Sequence, residues 1–559
     1  MPRPRLLAIL VGLATATTHA SSQDRDEPVW RYDPPGDIYL YQQGPLGNIL
    51  FGTTETLVSL DLDTGAPRWQ RDDLTKLDSW HFAIIPMTTI AVLQTGTALS
   101  AIDVVGGETL WNDSILPFET LYGYMPVPAH ALLLVYGKTK QSDRTMIALD
   151  LGSGTVVWRN DELFDKKPRL DCYQASTGNV GDCPTIRTSW TQVLHGHQKP
   201  LADSDTSLVL YLSEDGPLRL QAWTGEVLWR ATQLQGKDVP RPWLGYAAWR
   251  MRDGVLYVPS ERRLVAIDLS TGSTIWSRER QFRAPITQME FTDFGLVVRG
   301  HKYNNGTPKD FFLDLVDPAT GPSLWKDDYR DLYNTQRFLI QDDDLFLLHR
   351  KEVHRVSLRD GRAERIRLDL REGASAGYMQ LVDGSLVISA PQQVLRLGSD
   401  GAEPYHVYYE PPKYAWWQNA LGSVISGALS VATVSVMESM RDYNTRDFTW
   451  TNGQGRPAAA PGGDRMQQYA EVYRTIYQPQ IQDRMTATLS GANYAYINTG
   501  ETDGERKGFN LVRIDLRDGS DAGRLFLGER EPDYRIDPAS GIILLRDGGA
   551  IAAYRYPTR

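Results

Sequence analysis

The side chains of this sequence that could do chemistry are few and scattered. Cys172 and Cys183 bracket a short loop in DCYQASTGNVGDC, His195 and His197 alternate in VLHGHQ, and Asp342–Asp344 run together in QDDDLFLL. In an oxidising compartment the two cysteines are expected to form a disulfide, worth about 2–3 kcal/mol on the chain-entropy model. A metal or redox centre would need more ligands than this pair brings. The histidines could share a metal and the aspartates a cation, but such features are ordinarily polar surface and a solvated turn. No Gly-rich phosphate loop, no Gly-x-Ser-x-Gly elbow and no His-Glu-x-x-His occurs. We therefore expect no catalytic, cofactor-binding or metal-binding residues, and no enzyme activity. Asn112 and Asn305 lie in Asn-x-Ser/Thr sites, which matter only in a eukaryotic secretory route. Trp80, Trp190, Trp243 and Trp249 are open between lining an axial funnel and packing loops.

A second set of residues recurs at fixed spacing. In LVAIDLSTGSTIW, Asp268 lies four residues before Gly272 and Trp276 four after. The same order holds for Asp61, Gly65 and Trp69; for Asp103, Gly107 and Trp111; for Asp150, Gly154 and Trp158; and for Asp317, Gly321 and Trp325. Gly225 keeps Trp229 but loses the Asp, and weaker copies surround Gly361, Gly401 and Gly519. Most intervals between these glycines are 40–49 residues, and only Gly154–Gly225 and Gly401–Gly519 are longer. A period in this range is the mark of a repeat architecture.

Each position has a physical reason. The short apolar run reads as a strand buried on both faces. Asp can accept backbone N–H groups in the tight turn that follows, where Gly takes positive φ without a Cβ clash. The chain turns back, and Trp buries its ring against a neighbouring sheet while its N–H finds a carbonyl. Short antiparallel sheets of about four strands, stacked radially, make an all-β propeller. These residues are structural, not a catalytic set. The last segment, GIILLRDGGAIAAYRY, supplies two strands and no Trp, whereas Trp30 in EPVWRYDP has no repeat strand ahead of it. The strand of Trp30 is expected to complete the blade begun by the C-terminal segment. Nine marked units and this shared one make ten, above the usual four to eight.

The N-terminal 1–20, MPRPRLLAILVGLATATTHA, reads as a secretory signal. Removing Arg3 and Arg5 with it takes the formal net charge from −10 to −12. An acidic chain is a poor ligand for nucleic acid. No Cys follows the signal region, so no lipid anchor is expected there. We divide the rest into propeller repeats over 28–405, a helical insertion with a Gly/Pro/Ala linker over 406–490, and closing repeats over 491–559. In the insertion, Tyr414–Met437 is an uncharged run of 24 residues. Its Ser, Thr, Asn and Gln content weakens it as a membrane span. A helix pair packed over the propeller is the expected form. Trp416 and Trp417 are the residues to meet a protein partner or a membrane surface in peripheral contact.

Units such as LVAIDLSTGSTIW and MIALDLGSGTVVW resemble the pyrroloquinoline-quinone-type (PQQ-like) propeller repeat through most of the chain outside the insertion. Two families share it. Similarity to quinoprotein dehydrogenases would imply a quinone and Ca²⁺ at the axis, a catalytic Asp and a disulfide between adjacent cysteines. No position here matches that Asp or the Ca²⁺ ligands, and Cys172 and Cys183 are eleven apart. The chain also resembles the outer-membrane protein assembly factor of the β-barrel assembly machinery, which has the same repeat, a secretory signal and no active site. That family is normally an eight-bladed lipoprotein. This resemblance implies a non-catalytic periplasmic scaffold that binds protein partners without a cofactor.

Overall fold

The computed structural model describes residues 27–556 except 164–199, 235–248, 411–492, 500–508 and several shorter segments. The described residues form ten antiparallel sheets, eight of four strands and two of three. We number them as blades 1 to 10: residues 38–71, 82–113, 118–160, 201–230, 250–281, 286–316, 338–367, 378–408, 494–528, and 533–554. In nine of them the strands pair in chain order as a meander, the first innermost.

Blade 10 differs because the strand Trp30–Tyr32 pairs antiparallel with Ala550–Tyr554 and supplies its outermost position. The expected closure is thus what the chain does, and the count of ten holds. Ten buried apolar clusters join the blades in cyclic order. One holds Ile49, Phe51 and Leu60 of blade 1 with Trp30, Ile542 and Ile551 of blade 10. Another joins Val209 and Trp229 of blade 4 to Leu256 and Val265 of blade 5. Each strand face is therefore covered by a neighbour, and the middle strands read as continuous apolar runs.

The domain limits need one correction. His406, Val407 and Tyr408, assigned above to the insertion, belong to the outermost strand of blade 8, Tyr405–Tyr408. Their alternation is too short to stand out beside the apolar run that follows. The remaining insertion, with Trp416, Trp417 and the expected helices, lies outside the described residues, as do Cys172, Cys183, His195 and His197. Among the described residues no helix is long and apolar enough to cross a membrane.

Candidate functional site

The recurring Asp, Gly and Trp build the joints between blades. In each of seven joints the Trp of one blade stacks on the marker Gly of the next, and its indole N–H donates to the carbonyl three residues before that Gly. Trp30 donates to Leu62 at 2.9 Å, Trp111 to Leu151 at 2.8 Å, Trp158 to Ala222 at 2.8 Å and Trp229 to Leu269 at 2.7 Å. Trp69, Trp276 and Trp325 do the same with Val104, Pro318 and Leu358. The glycine is required twice over. Its φ is 69–94° in these joints, and a Cβ on it would meet the indole at 2.5–3.0 Å.

The Asp holds the turn that presents the Gly. Asp268 accepts backbone N–H groups from Ser270 and Thr271 at 2.8 and 2.9 Å, and Asp150 accepts those of Gly152 and Ser153. The Ser270 hydroxyl first, and then the Thr271 N–H, hold the Asp268 carboxyl below its ordinary range. In blade 4 Gln221 replaces the Asp and does the same work, accepting from Trp223 and Thr224. These residue types serve packing, and each Trp covers the marker Gly of the following unit.

The acidic run Asp342–Asp344 is spent on ion pairs. Asp342 has φ 52° in a hairpin turn, while Asp343 accepts from Arg359 Nε at 2.7 Å and Asp344 from Arg355 Nε at 2.8 Å. Trp249 packs in the core between blades 4 and 5, which settles its placement. Asn112 is exposed on the outermost strand of blade 2, and Trp80, Trp190, Trp243 and Asn305 lie outside the described residues.

Two histidine environments went unnoticed in the sequence because strand pairing and the docking of blades assemble them. Buried His354 meets the Tyr329 hydroxyl at 2.7 Å and Glu352 at 3.3 Å, with His349 edge-on at 6.0 Å. His301 stacks on Phe311 at 5.3 Å. Burial, reinforced by the Arg299 charge, pushes the His301 pKa down to about 4, and burial lowers His354 as well. A lowered histidine stabilises the fold in its neutral form, and that contribution is lost as pH falls from 6.5 towards the folded value. Urea midpoints are therefore expected to decline between pH 6.5 and about 4, and to decline less steeply in His301→Gln.

At the axis, Arg535 of blade 10 lies 4.3 Å from the Tyr41 ring of blade 1, and Gln43 donates to Asp537. Tyr39 on the same innermost strand is 55 % exposed. A quinone held with Ca²⁺ would need several carboxylate or amide oxygens converging there. Among the described residues no three His, Cys, Asp or Glu side chains gather as a metal requires.

A family model described as outer membrane protein assembly factor BamB matches residues 53–167 and 164–367. The chain belongs to this family. The matched stretch takes in the marked units from Gly65 to Gly361 and so the seven Trp–Gly joints except their N-terminal partner, Trp30. Among solved structures, the BamB-family chain is similar to BamB from Moraxella catarrhalis at 15 % identity, covering 68 % of this chain and 97 % of that one, with a TM-score of 0.33. It is similar to quinohemoprotein alcohol dehydrogenase ADHIIG from Pseudomonas putida HK5 at 12 % identity, covering 66 % and 71 %, with a TM-score of 0.32. No curated protein matches the sequence.

Proposed function

We propose that this BamB-family propeller is a non-catalytic, extracytoplasmic scaffold that binds protein partners in assembly of the cell envelope, most simply in the periplasm. The observation that carries the reading is the family match over residues 53–367, to a model described as an outer-membrane protein assembly factor. It is supported by the way the repeated side chains are used. Asp, Gly and Trp of the repeat are consumed in holding blades together, which builds a rigid frame and leaves recognition to the connections.

In a four-strand meander the Asp–Gly turns and the first hairpin turns share one face of the ring, and the connections between blades leave from the other. The described chain departs on long connections after Asp161–Leu163 and after Glu410, at the 3/4 and 8/9 junctions. Both points of departure lie on the face opposite the Asp–Gly turns, five blades apart. We assign partner binding to that face.

The test has two arms. Titration of the mature protein with pyrroloquinoline quinone and Ca²⁺, followed by Trp fluorescence and dye reduction with alcohols and sugars, is expected to give neither saturable binding nor turnover. Turnover would overturn the scaffold reading in favour of a quinoprotein dehydrogenase. In cells lacking the chain, folded outer-membrane β-barrel proteins are expected to fall while their transcripts do not.

A further inference from the structure

The joints around the ring are not all alike. Besides the seven Trp–Gly joints, the 8/9 junction uses Tyr405, whose hydroxyl donates to Leu516 at 2.6 Å and whose ring covers Gly519. At the 9/10 junction the arrangement is inverted. Gly523 stands where the Trp would be, and Tyr556 of blade 10 covers it, donating to Leu511 at 3.3 Å. An aromatic ring over a glycine therefore closes nine of the ten junctions.

Among the described residues, the 7/8 junction lacks both halves of the joint. By spacing, Arg365 occupies the Trp position. The outermost strands of blades 1 to 4 carry a bulge just before the Trp, which turns that ring towards the next blade. The outermost strand of blade 7, Ala363–Arg367, pairs without one: Arg355 faces Glu364 and His354 faces Arg365. Losing one residue of register flips the faces, so exposed Glu364 takes the side towards blade 8. On the other side, Gly401 has nothing within 4 Å of a Cβ built on it. Its turn is closed by Gly398 N–H to Ala402 O at 2.8 Å, one residue tighter than Asp61 to Ala66 in blade 1.

The inner part of the same junction is tied. Gln341 donates to Gly384 O at 2.9 Å, and the Ala376 N–H donates to Arg350 O at 2.7 Å. A shared apolar cluster, including Leu348 and Ile388, reaches the rim through Ile366 of the outermost strand of blade 7 and Leu368 just beyond it. A junction that keeps its apolar packing but lacks the ring-over-glycine joint at its rim is expected to open there more readily than the other nine. We propose that the ring opens at its rim between blades 7 and 8, making this junction a built-in seam that transiently exposes the apolar faces of those two blades.

Hydrogen exchange on the full mature chain tests this. Amides of 363–368 and 385–397 are expected to exchange on the order of ten-fold faster than those of 109–112 and 145–150, which flank the Trp111–Gly154 joint. Trp111→Ala is expected to bring the 2/3 junction to the rate of the 7/8 junction while leaving the latter unchanged. Should that variant fail to fold, Trp111→Phe keeps a ring over Gly154 and loses only the N–H, with a smaller rise expected at 2/3. Equal protection at both junctions in the unaltered protein would overturn the proposal. So would faster exchange at 7/8 joined to no response at 2/3 in a folded variant, since the missing joint would then not be the cause.

Discussion

Trp229→Ala is expected to lower stability by about 3–5 kcal/mol, the range for removing a large buried aromatic. Trp229 is 8 % exposed, packs in the cluster shared by blades 4 and 5, and donates to Leu269 O at 2.7 Å. Its ring also closes over Gly272, so the variant leaves a cavity and removes one of the two hydrogen bonds to Leu269 O, the other coming from Arg219 at 3.0 Å. Trp229→Phe separates the two terms. It keeps a ring over the glycine and loses the N–H, so about 1–2 kcal/mol is expected. Urea unfolding followed by far-ultraviolet circular dichroism reads both values. A cost below about 1 kcal/mol for Trp229→Ala would show that the joint is dispensable.

The second large effect concerns closure. Deleting residues 27–33 removes the strand that pairs with Ala550–Tyr554 and takes Trp30 from its place over Gly65. Two consequences follow together. The apolar cluster shared by blades 10 and 1 is opened, and the strand Ala550–Tyr554 becomes an unpaired edge. Such an edge is a template for pairing with another chain. The truncated protein is therefore expected to form oligomers and to melt at a lower temperature than any single-joint variant. Light scattering checks the first outcome and calorimetry the second. A synthetic peptide EPVWRYDP is expected to restore the monomer when added in excess. A truncated chain that stays monomeric and melts unchanged would show that the ring does not depend on this strand.

Much of this architecture was legible because the repeat residues are constrained by geometry rather than by composition. Gly65 and its equivalents must take positive φ beneath an indole, and no other residue type does both. Trp30 was legible as the missing partner of the C-terminal segment for the same reason, being a docking residue without a strand ahead of it. The sequence was less informative where register decides the outcome. Arg365 sits at the Trp spacing, yet the absent bulge turns it away from blade 8, and a bulge leaves no residue-type signature. Asp342–Asp344 look like a solvated or cation-binding run because Arg355 and Arg359, which neutralise two of them, lie across the hairpin of strands 344–349 and 352–357 rather than adjacent in sequence. The histidine clusters were hidden similarly, Tyr329 and His354 being brought together only by docking blade 6 on blade 7.

The strand that closes the ring also sets a schedule for making it. Trp30–Tyr32 is synthesised near the beginning and its partner Ala550–Tyr554 near the end, with residues 33–549 between them. Blades made early can dock on their neighbours as they emerge, because most contacts are with the next unit along the chain. The side of blade 1 that carries Phe51 and Leu60 has no such neighbour until the last strands arrive. Until then this surface stays uncovered, and a stalled or shortened chain keeps it so. The interval of greatest hazard therefore precedes completion of the polypeptide, and its length is set by the rate at which the chain is made.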